Sequence, residues 1–272
     1  MVSPLVSIVI PTKNSSRTLS ICLTSISRQT YGNIEIIVVD GYSTDDTVEI
    51  ARRFGAYIFR HRGERARAKN LGLIMAGGKY VLFLDSDMEL TPRVIEECVA
   101  LAESDQRIAG IVIPERSVGS GWLGRIRDFE RSFYMDTSIE SPRFFRRDIA
   151  VDVGGFDEDL VFYEEATLAH KIERAGYWVK ARIGSPIIHH EEGLSLSRLL
   201  MKRYYYGKTL ARYISRYPEQ AYMQVSPVYR IKIFLGNRRF YLYPHLGVGV
   251  IAVKLLEYIA TMIGSLSSEQ IE

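Results

Sequence analysis

Cysteine is scarce in this chain of 272 residues: Cys22 and Cys98 stand alone, each inside an apolar helical pattern and neither at a metal-like spacing. That argues against a disulfide framework and makes a reducing compartment the expectation. A glycine-rich dinucleotide fingerprint and a P-loop are both missing, so any phosphate must be held by other means. There is no internal repeat and no low-complexity linker. The opening MVSPLVSIVIP has no basic n-region and is too short for a secretory leader. It reads as a core strand, and the expectation is that the catalytic part lies in the cytoplasm.

What is present suits a folded protein. Hydrophobic residues make up 47% and charged residues 25%, a balance that excludes disorder. The length suffices for one substantial core, or for a domain with an appendage. The net charge of +3 hides an asymmetry. From Ser195 onward there are 11 Lys and Arg against four Glu, a net of +7, while the preceding residues hold 24 against 28, a net of −4. An acidic body suits a cation site, and a basic tail suits an anionic surface.

Short apolar runs alternate with helical patterns through the first half, the mark of an α/β sheet. Strands are expected at Leu5 to Ile10, Ile34 to Val39, Ala56 to Phe59, Tyr80 to Leu84 and Ile108 to Ile113. Leu19, Cys22, Leu23 and Ile26 repeat at helical spacing. Ser43 or Thr44 is expected to cap the next helix, which carries Val48, Ile50, Ala51 and Phe54. A helix near Ala66 to Ala76 should stop at Gly77-Gly78. Thr91-Pro92 should open another, with Thr as cap.

The first, second and fourth strands each run into polar residues: Thr12-Lys13-Asn14, Asp40 and Asp85-Ser86-Asp87. In open parallel sheets ligands bind at that carboxyl edge, so one shared site is expected there. Asp85 and Asp87 can offer oxygen to Mg²⁺ or Mn²⁺, or merely cap the next turn; their place at a strand end favours the metal. Asp40 can accept from a nucleobase N–H, or cap the loop through Asp45. Arg65, Arg67 and Lys69 are candidates for a diphosphate clamp, against a plain solvated helix face. Later, Glu164-Glu165 fits a helix start by charge alone, yet could also deprotonate an acceptor hydroxyl. In His189-His190-Glu191-Glu192, taken as a loop, a histidine could ligate metal or touch diphosphate, or be structural.

Four ordered segments carry a resemblance: SIVIPTKN at 7–14, EIIVVDGYSTDDT at 35–47, GKYVLFLDSDMEL at 78–90 and GGFDEDLVFYEEATLAHKIERAGY at 154–177. Together they resemble family 2 glycosyltransferases. The resemblance implies the GT-A fold, a Rossmann-like mixed, mainly parallel sheet flanked by helices. It implies a catalytic domain over 1–195, with a nucleotide-sugar half at 1–114 and an acceptor half at 115–195, and leaves 196–272 as a helical C-terminal extension. The implied activity is hexosyl transfer from a UDP- or GDP-sugar to an acceptor hydroxyl with inversion, assisted by Mn²⁺ or Mg²⁺. By the same resemblance Pro11, Thr12 and Asp40 contact base and ribose, Asp85 lies near ribose and metal, and Asp87 ligates the cation. Asn14, Ser86, Arg65 and Lys69 join the donor site, His189 the metal. Glu165 is the catalytic base, with Glu164 the alternative. Two departures stand out: Asp40-Gly41 where the family often has Asp-Asp, and Glu165 where Asp is usual.

Beyond Ser195, cations and aromatics interleave, as in Lys202-Arg203-Tyr204-Tyr205-Tyr206 and Arg238-Arg239-Phe240-Tyr241. Leu246 to Ile263 is apolar, interrupted by Lys254 and Glu257. An interfacial helix fits this better than a spanning one, against a helix packed on the core. The expectation is a protein peripheral at the inner face of the cell membrane, with a C-terminal anchor as the stronger form. Its acceptor would be a lipid-linked glycan or polyprenyl phosphate. No nucleic-acid motif is present. The competing functions are a non-catalytic nucleotide-sugar or glycan-binding module and a nucleotidyltransferase. The latter usually has a glycine-rich basic loop, which IPTKNSSRT does not provide.

Overall fold

The structure is a computed structural model describing residues 3–119, 121–135, 137, 139–191 and 193–269. It divides into two compact units. The first holds residues up to Glu115 together with Ser141–Glu158 and Glu164–His190; the second holds Arg116–Glu140, Asp159–Tyr163 and Glu191–Glu272.

In the first unit, β1 (Val6–Thr12), α1 (Ser16–Ser27), β2 (Ile34–Asp40), α2 (Thr47–Arg53), β3 (Tyr57–Arg60), α3 (Arg65–Met75) and β4 (Tyr80–Phe83) follow in alternation. Then come β5 (Met88–Leu90), α4 (Val94–Ser104), β6 (Gly110–Val112) and β7 (Glu115–Val118), where the chain passes into the second unit. After α5 (Gly121–Arg131) of that unit, the chain returns through β8 (Phe144–Arg146), α6 (Arg147–Asp152), α7 (Glu164–Arg174), β9 (Ala181–Arg182) and β10 (Ile187–His190). Seven strands form one sheet in the order β3-β2-β1-β4-β8-β6-β9. β1 pairs in parallel with both β2 and β4, whereas β8 runs antiparallel between β4 and β6. This mixed, mainly parallel sheet has the expected architecture.

Strand alternation sorts the core into two faces. Val6, Ile8 and Ile10 of β1 join Tyr80 and Leu82 of β4 and the inward stripe of α1; Val9 joins Val81, Phe83 and the apolar residues of α3, α6 and α7. Both cysteines are free and buried on the first face.

Three local expectations are corrected. Neither Ser43 nor Thr44 caps α2, which starts at Thr47, because Ser43 is drawn to Asp40 and its hydroxyl also receives Asn14 N–H at 2.8 Å. Thr91 does not cap α4, which begins at Val94; its hydroxyl donates to the Pro186 carbonyl at 2.8 Å. His189 and His190 lie on strand β10, antiparallel to β5 with His189 opposite Met88, and not in a loop. Glu192 lies outside the described residues.

The second unit is helical: α5, then α8 (Leu196–Gly207), α9 (Leu210–Arg216), α10 (Pro218–Val225), α11 (Pro227–Leu235), α12 (Arg238–Leu242) and α13 (Pro244–Glu269). Leu123, Ile126, Phe129, Phe133, Phe234, Val250 and Val253 form one of its cores; Phe162, Leu210, Tyr213 and Tyr217 belong to another. α8 and α13 touch backbone to backbone at two glycines. A Cβ on Gly207 would sit 2.1 Å from the Thr261 carbonyl oxygen, and one on Gly264 would sit 1.9 Å from that of Tyr204. Gly264→Ala is therefore expected to force the helices apart and lower stability by about 1–3 kcal/mol. Chemical denaturation reads the change; an unaltered midpoint would contradict the close crossing.

Candidate functional site

Parallel pairing brings the ends of β1, β2 and β4 to one edge of the sheet. Thr12 pairs with Asp40, and the Leu84 N–H donates to the Val9 carbonyl at 3.0 Å. β2 and β4 flank β1, so their tips are separated by two interstrand spacings, about 10 Å.

On the β1–β2 side the loops lock together. Gly41 N–H donates to the Thr12 carbonyl at 2.7 Å, and Thr44 N–H to Asn14 Oδ1 at 2.9 Å. Asn14 holds a left-handed φ of 50°, which asparagine tolerates better than most residues. Asp40 is fully buried and accepts from Ser43 N–H at 3.0 Å, Ser43 Oγ at 2.5 Å and Thr12 Oγ1 at 3.4 Å. Its carboxylate thus holds the loop closed. Pro11 is half-buried in the strand, and Ser86 Oγ reaches Ser15 Oγ at 3.0 Å, tying the β4 tip to the β1 loop.

On the β4 side, carboxylates gather around cations. Asp85 Oδ2 lies 3.4 Å from one guanidinium nitrogen of Arg143, whose Nε donates to Glu115 at 2.6 Å and whose remaining nitrogen is 3.9 Å from Glu165. Lys69 Nζ sits between Glu164 at 3.3 Å and Glu165 at 3.4 Å. Arg65 approaches the same two glutamates at 3.7 and 3.8 Å. α3 and α7 deliver these groups, because the buried stripe of each helix packs on one sheet face. Arg67 points elsewhere, to Glu158 at 3.4 Å. Lys69 is buried, flanked by the Phe156 ring, and is committed to the glutamate pair.

Electrostatics separate the three carboxylates. Burial opposes ionisation of Asp85, but Arg65, Arg143 and Lys69, with His189 behind them, hold its carboxyl well below the usual range. Burial also opposes ionisation of Glu165, yet Lys69 and Arg143 hold it below its ordinary value. Glu164 goes the other way: burial, with Glu165 and Asp85 nearby, pushes its carboxyl up despite Lys69. Burial works against the Lys69 ammonium too, but the two glutamates outweigh it and keep it charged. Access differs as well, since the Glu165 side chain is 33% exposed and that of Glu164 only 7%.

A divalent cation can be tested against these residues. Among the described residues no three His, Cys, Asp or Glu side chains converge as a metal cluster. What is present is a pair: Asp87 Oδ2 stands 3.2 Å from His189 Nε2, with the Asp87 side chain 41% exposed. One oxygen and one imidazole nitrogen, open on one side, fit an ion that takes its other ligands from phosphate and water. The pairing of β10 with β5 places His189 there.

Arg143 and Glu115 escape sequence reading. Arg143 precedes β8, far from every motif, and reaches the site because β8 pairs with β4, the Phe83 N–H donating to the Arg143 carbonyl at 2.9 Å. Arg143→Met is expected to cost about 3–5 kcal/mol near neutral pH, since it strands buried carboxylates. A depressed Asp85 supplies stability above its unfolded value of 3.8, which is lost as pH falls toward the folded value. The penalty should therefore shrink as pH drops below about 4. Urea titrations of both proteins across that range check the trend; a constant penalty would refute the electrostatic origin.

The profile described as Glycosyl transferase family 2 matches residues 7–157. The PGL/p-HBAD biosynthesis glycosyltransferase of Mycobacterium bovis is 33% identical over 168 residues, covering 58% of this chain and 65% of that protein. The chain thus matches just under two thirds of the length of such relatives. Among solved structures, the mannosyltransferase PcManGT from Pyrobaculum calidifontis, in complex with GDP-Man and Mn²⁺, superposes with a TM-score of 0.67 at 19% identity, covering 100% of this chain and 87% of that one. Residues 1–349 of TarS from S. aureus, in complex with UDP-GlcNAc, give a TM-score of 0.58 at 15% identity, with 98% and 92% covered. At such identities the structures speak for the fold, which is GT-A. With more than half its length matched by the family profile, the chain belongs to glycosyltransferase family 2.

Proposed function

We propose that this protein transfers a hexosyl group from a UDP- or GDP-sugar to an acceptor hydroxyl at a membrane surface, with inversion and with the help of Mn²⁺ or Mg²⁺. The observation that carries the reading is the convergence of Asp85, Glu164 and Glu165 on Arg65, Lys69 and Arg143 beside the tip of β4. The donor half is 1–114, the acceptor half 115–195, and 196–272 the extension. Pro11, Thr12, Asn14, Asp40 and Ser86 shape the base and ribose side, and Arg65 faces the diphosphate. Asp87 and His189, with Asp85 beside them, would hold the cation, which would supply positive charge to neutralise a diphosphate leaving group.

Glu165 is the general base. It is ionised, accessible and braced, and it takes the acceptor proton as the hydroxyl oxygen attacks the anomeric carbon opposite the departing diphosphate. Buried Glu164, with its carboxyl pushed up, positions Lys69 instead of meeting substrate. Two structural neighbours support the donor class, one in complex with GDP-Man and one with UDP-GlcNAc. Assaying nucleotide release from UDP- and GDP-sugars with Mn²⁺ tests the reading. Glu165→Gln should keep donor binding and lose at least about a hundredfold in rate, the contribution typical of a general base. Asp87→Asn should lose metal-dependent nucleotide binding. Metal-dependent binding of nucleotide without any release would leave a binding module instead.

The membrane part of the proposal rests on α13. Pro244–Ser267 is long and apolar enough to cross a membrane by length and composition. Its polarity is inverted: Lys254, Glu257 and Thr261 are buried, while Val248, Leu255, Ile259, Met262 and Leu266 are each about half exposed or more. An apolar outer stripe with charges turned inward suits a helix lying in the headgroup region, at the cytoplasmic face that the basic tail would favour. The acceptor would then be lipid-linked, a glycan or a polyprenyl phosphate. Leu255→Glu with Ile259→Glu should reduce sedimentation with anionic liposomes several-fold while the melting temperature holds. Equal sedimentation would remove the membrane surface from the proposal.

A further inference from the structure

The second unit contains a cavity of about 180 Å³ that the glycosyl-transfer chemistry does not use. Its walls are mostly apolar, with Phe162, Leu210, Val225 and Pro227 among them, yet Arg203, Arg230 and Lys254 also line it. Glu257 is the one carboxylate in the lining. Among the described residues, following the ion pairs outward does not remove the excess of positive charge. Lys254 reaches Glu130 at 2.6 Å, Arg127 reaches Glu130 at 2.8 Å, and Arg203 and Arg127 share Glu257 at 3.3 and 3.7 Å. That makes four cations against two anions, and the adjoining Arg131–Glu191 pair at 3.2 Å adds one of each.

Arg230 shows the imbalance most clearly. It is 9% exposed, and its hydrogen bonds go to neutral acceptors: the Tyr134 hydroxyl at 2.6 Å, the Tyr163 hydroxyl and the Gln224 carbonyl at 3.0 Å. Among the described residues no carboxylate touches it directly, and Glu130 is reached through the Tyr134 hydroxyl, which donates to it at 2.5 Å. A buried guanidinium so placed is costly and calls for an anion. Tyr163 adds a second sign. It holds a left-handed φ of 51°, an unfavourable conformation for an aromatic residue, while its hydroxyl donates to the Gln224 carbonyl at 2.8 Å. The cavity also meets the apolar exterior, because Met262 lines it and is itself 53% exposed on the outer stripe of α13.

We infer that this cavity binds the phosphate headgroup of a membrane lipid together with the first carbons of its chain. Arg203 and Arg230 would take the phosphate oxygens, the arrangement in which guanidinium groups bind best. The apolar wall would take the chain, which leaves past Met262 along the exposed stripe. A free phosphate would use the cations and waste the wall. The inference rests on the membrane-facing reading of α13, and a soluble amphiphile without any bilayer tests it separately.

The test is calorimetric titration of the full chain with dodecyl phosphate below its micellar concentration, and in parallel with inorganic phosphate and dodecyl maltoside. Dodecyl phosphate should bind at least about tenfold more tightly than either, since each lacks one half of the recognition. Arg203→Gln removes a charged donor and Met262→Trp fills the rim from the outside. Each should weaken dodecyl phosphate by about tenfold. Arg203→Gln also takes a partner from buried Glu257 and is expected to lower the melting temperature, whereas Met262→Trp should leave it unchanged; neither should change the affinity for UDP with Mn²⁺, so a failed donor site cannot imitate the result. Inorganic phosphate binding as tightly as the amphiphile would overturn the lipid assignment. Dodecyl maltoside binding as tightly would overturn the phosphate assignment, and full affinity in both variants would overturn the location.

Discussion

The guanidinium of Arg143 is the constraint on which the first unit's site depends. It is itself buried, and it faces Glu115, Asp85 and Glu165 with different nitrogens. Carboxylates brought together in a protein interior repel one another and resist ionisation. Without a shared cation they would protonate or separate. Lys69 does for Glu164 and Glu165 what Arg143 does for Asp85 and Glu165, so Glu165 is held from two sides. The consequence is a graded set: Asp85 strongly ionised, Glu165 ionised and reachable, Glu164 enclosed with its proton affinity raised. Groups of one chemical type take different roles because their surroundings differ.

The scaffold explains why this brace can form. β4 runs parallel to β1 while β8 runs antiparallel to β4, so the carboxyl end of one strand meets the beginning of the other. Arg143, just before β8, is thereby delivered to Asp85, just after β4. Buried, two-faced strands leave no freedom in this register, since a slip of one residue would exchange Val81 and Phe83 with Tyr80 and Leu82 between the two cores. Precision at the site is inherited from apolar packing several residues away.

That division also explains what could be read in advance. Apolar periodicity and polar strand ends are local signals, and they located β1, β2, β4, α1 and α3 with boundaries a residue or two adrift. The carboxylates were legible for the same reason: Asp85 and Asp87 interrupt an apolar run, and Glu164-Glu165 open a helix. Arg143 and Glu115 were not, because their importance comes from an antiparallel pairing across 58 residues of sequence between Asp85 and Arg143. The helix caps failed on competition. Ser43 and Thr91 are good capping residues, but other partners, the neighbouring Asp40 and the distant Pro186, took their hydroxyls. His189 and His190 looked like a loop because β10 is four residues long and half polar, and its pairing with β5 is what makes it a strand.

The second unit shows the limit of composition as a guide. A count of apolar residues in α13 finds a stretch that could span, and Lys254 and Glu257 look like flaws in it. Burial reverses that judgement. The charges face inward, beside Val250 and Val253, and are paired with Glu130, Arg127 and Arg203, while a second apolar stripe faces outward. In water this arrangement would be costly twice, once for exposed hydrocarbon and once for enclosed charge. In an interfacial setting the first cost disappears, because the exposed stripe meets hydrocarbon. The second is reduced if an anion enters beside Arg230. One environment relieving both costs is a stronger argument for a lipid surface than the hydrophobicity of the helix taken alone.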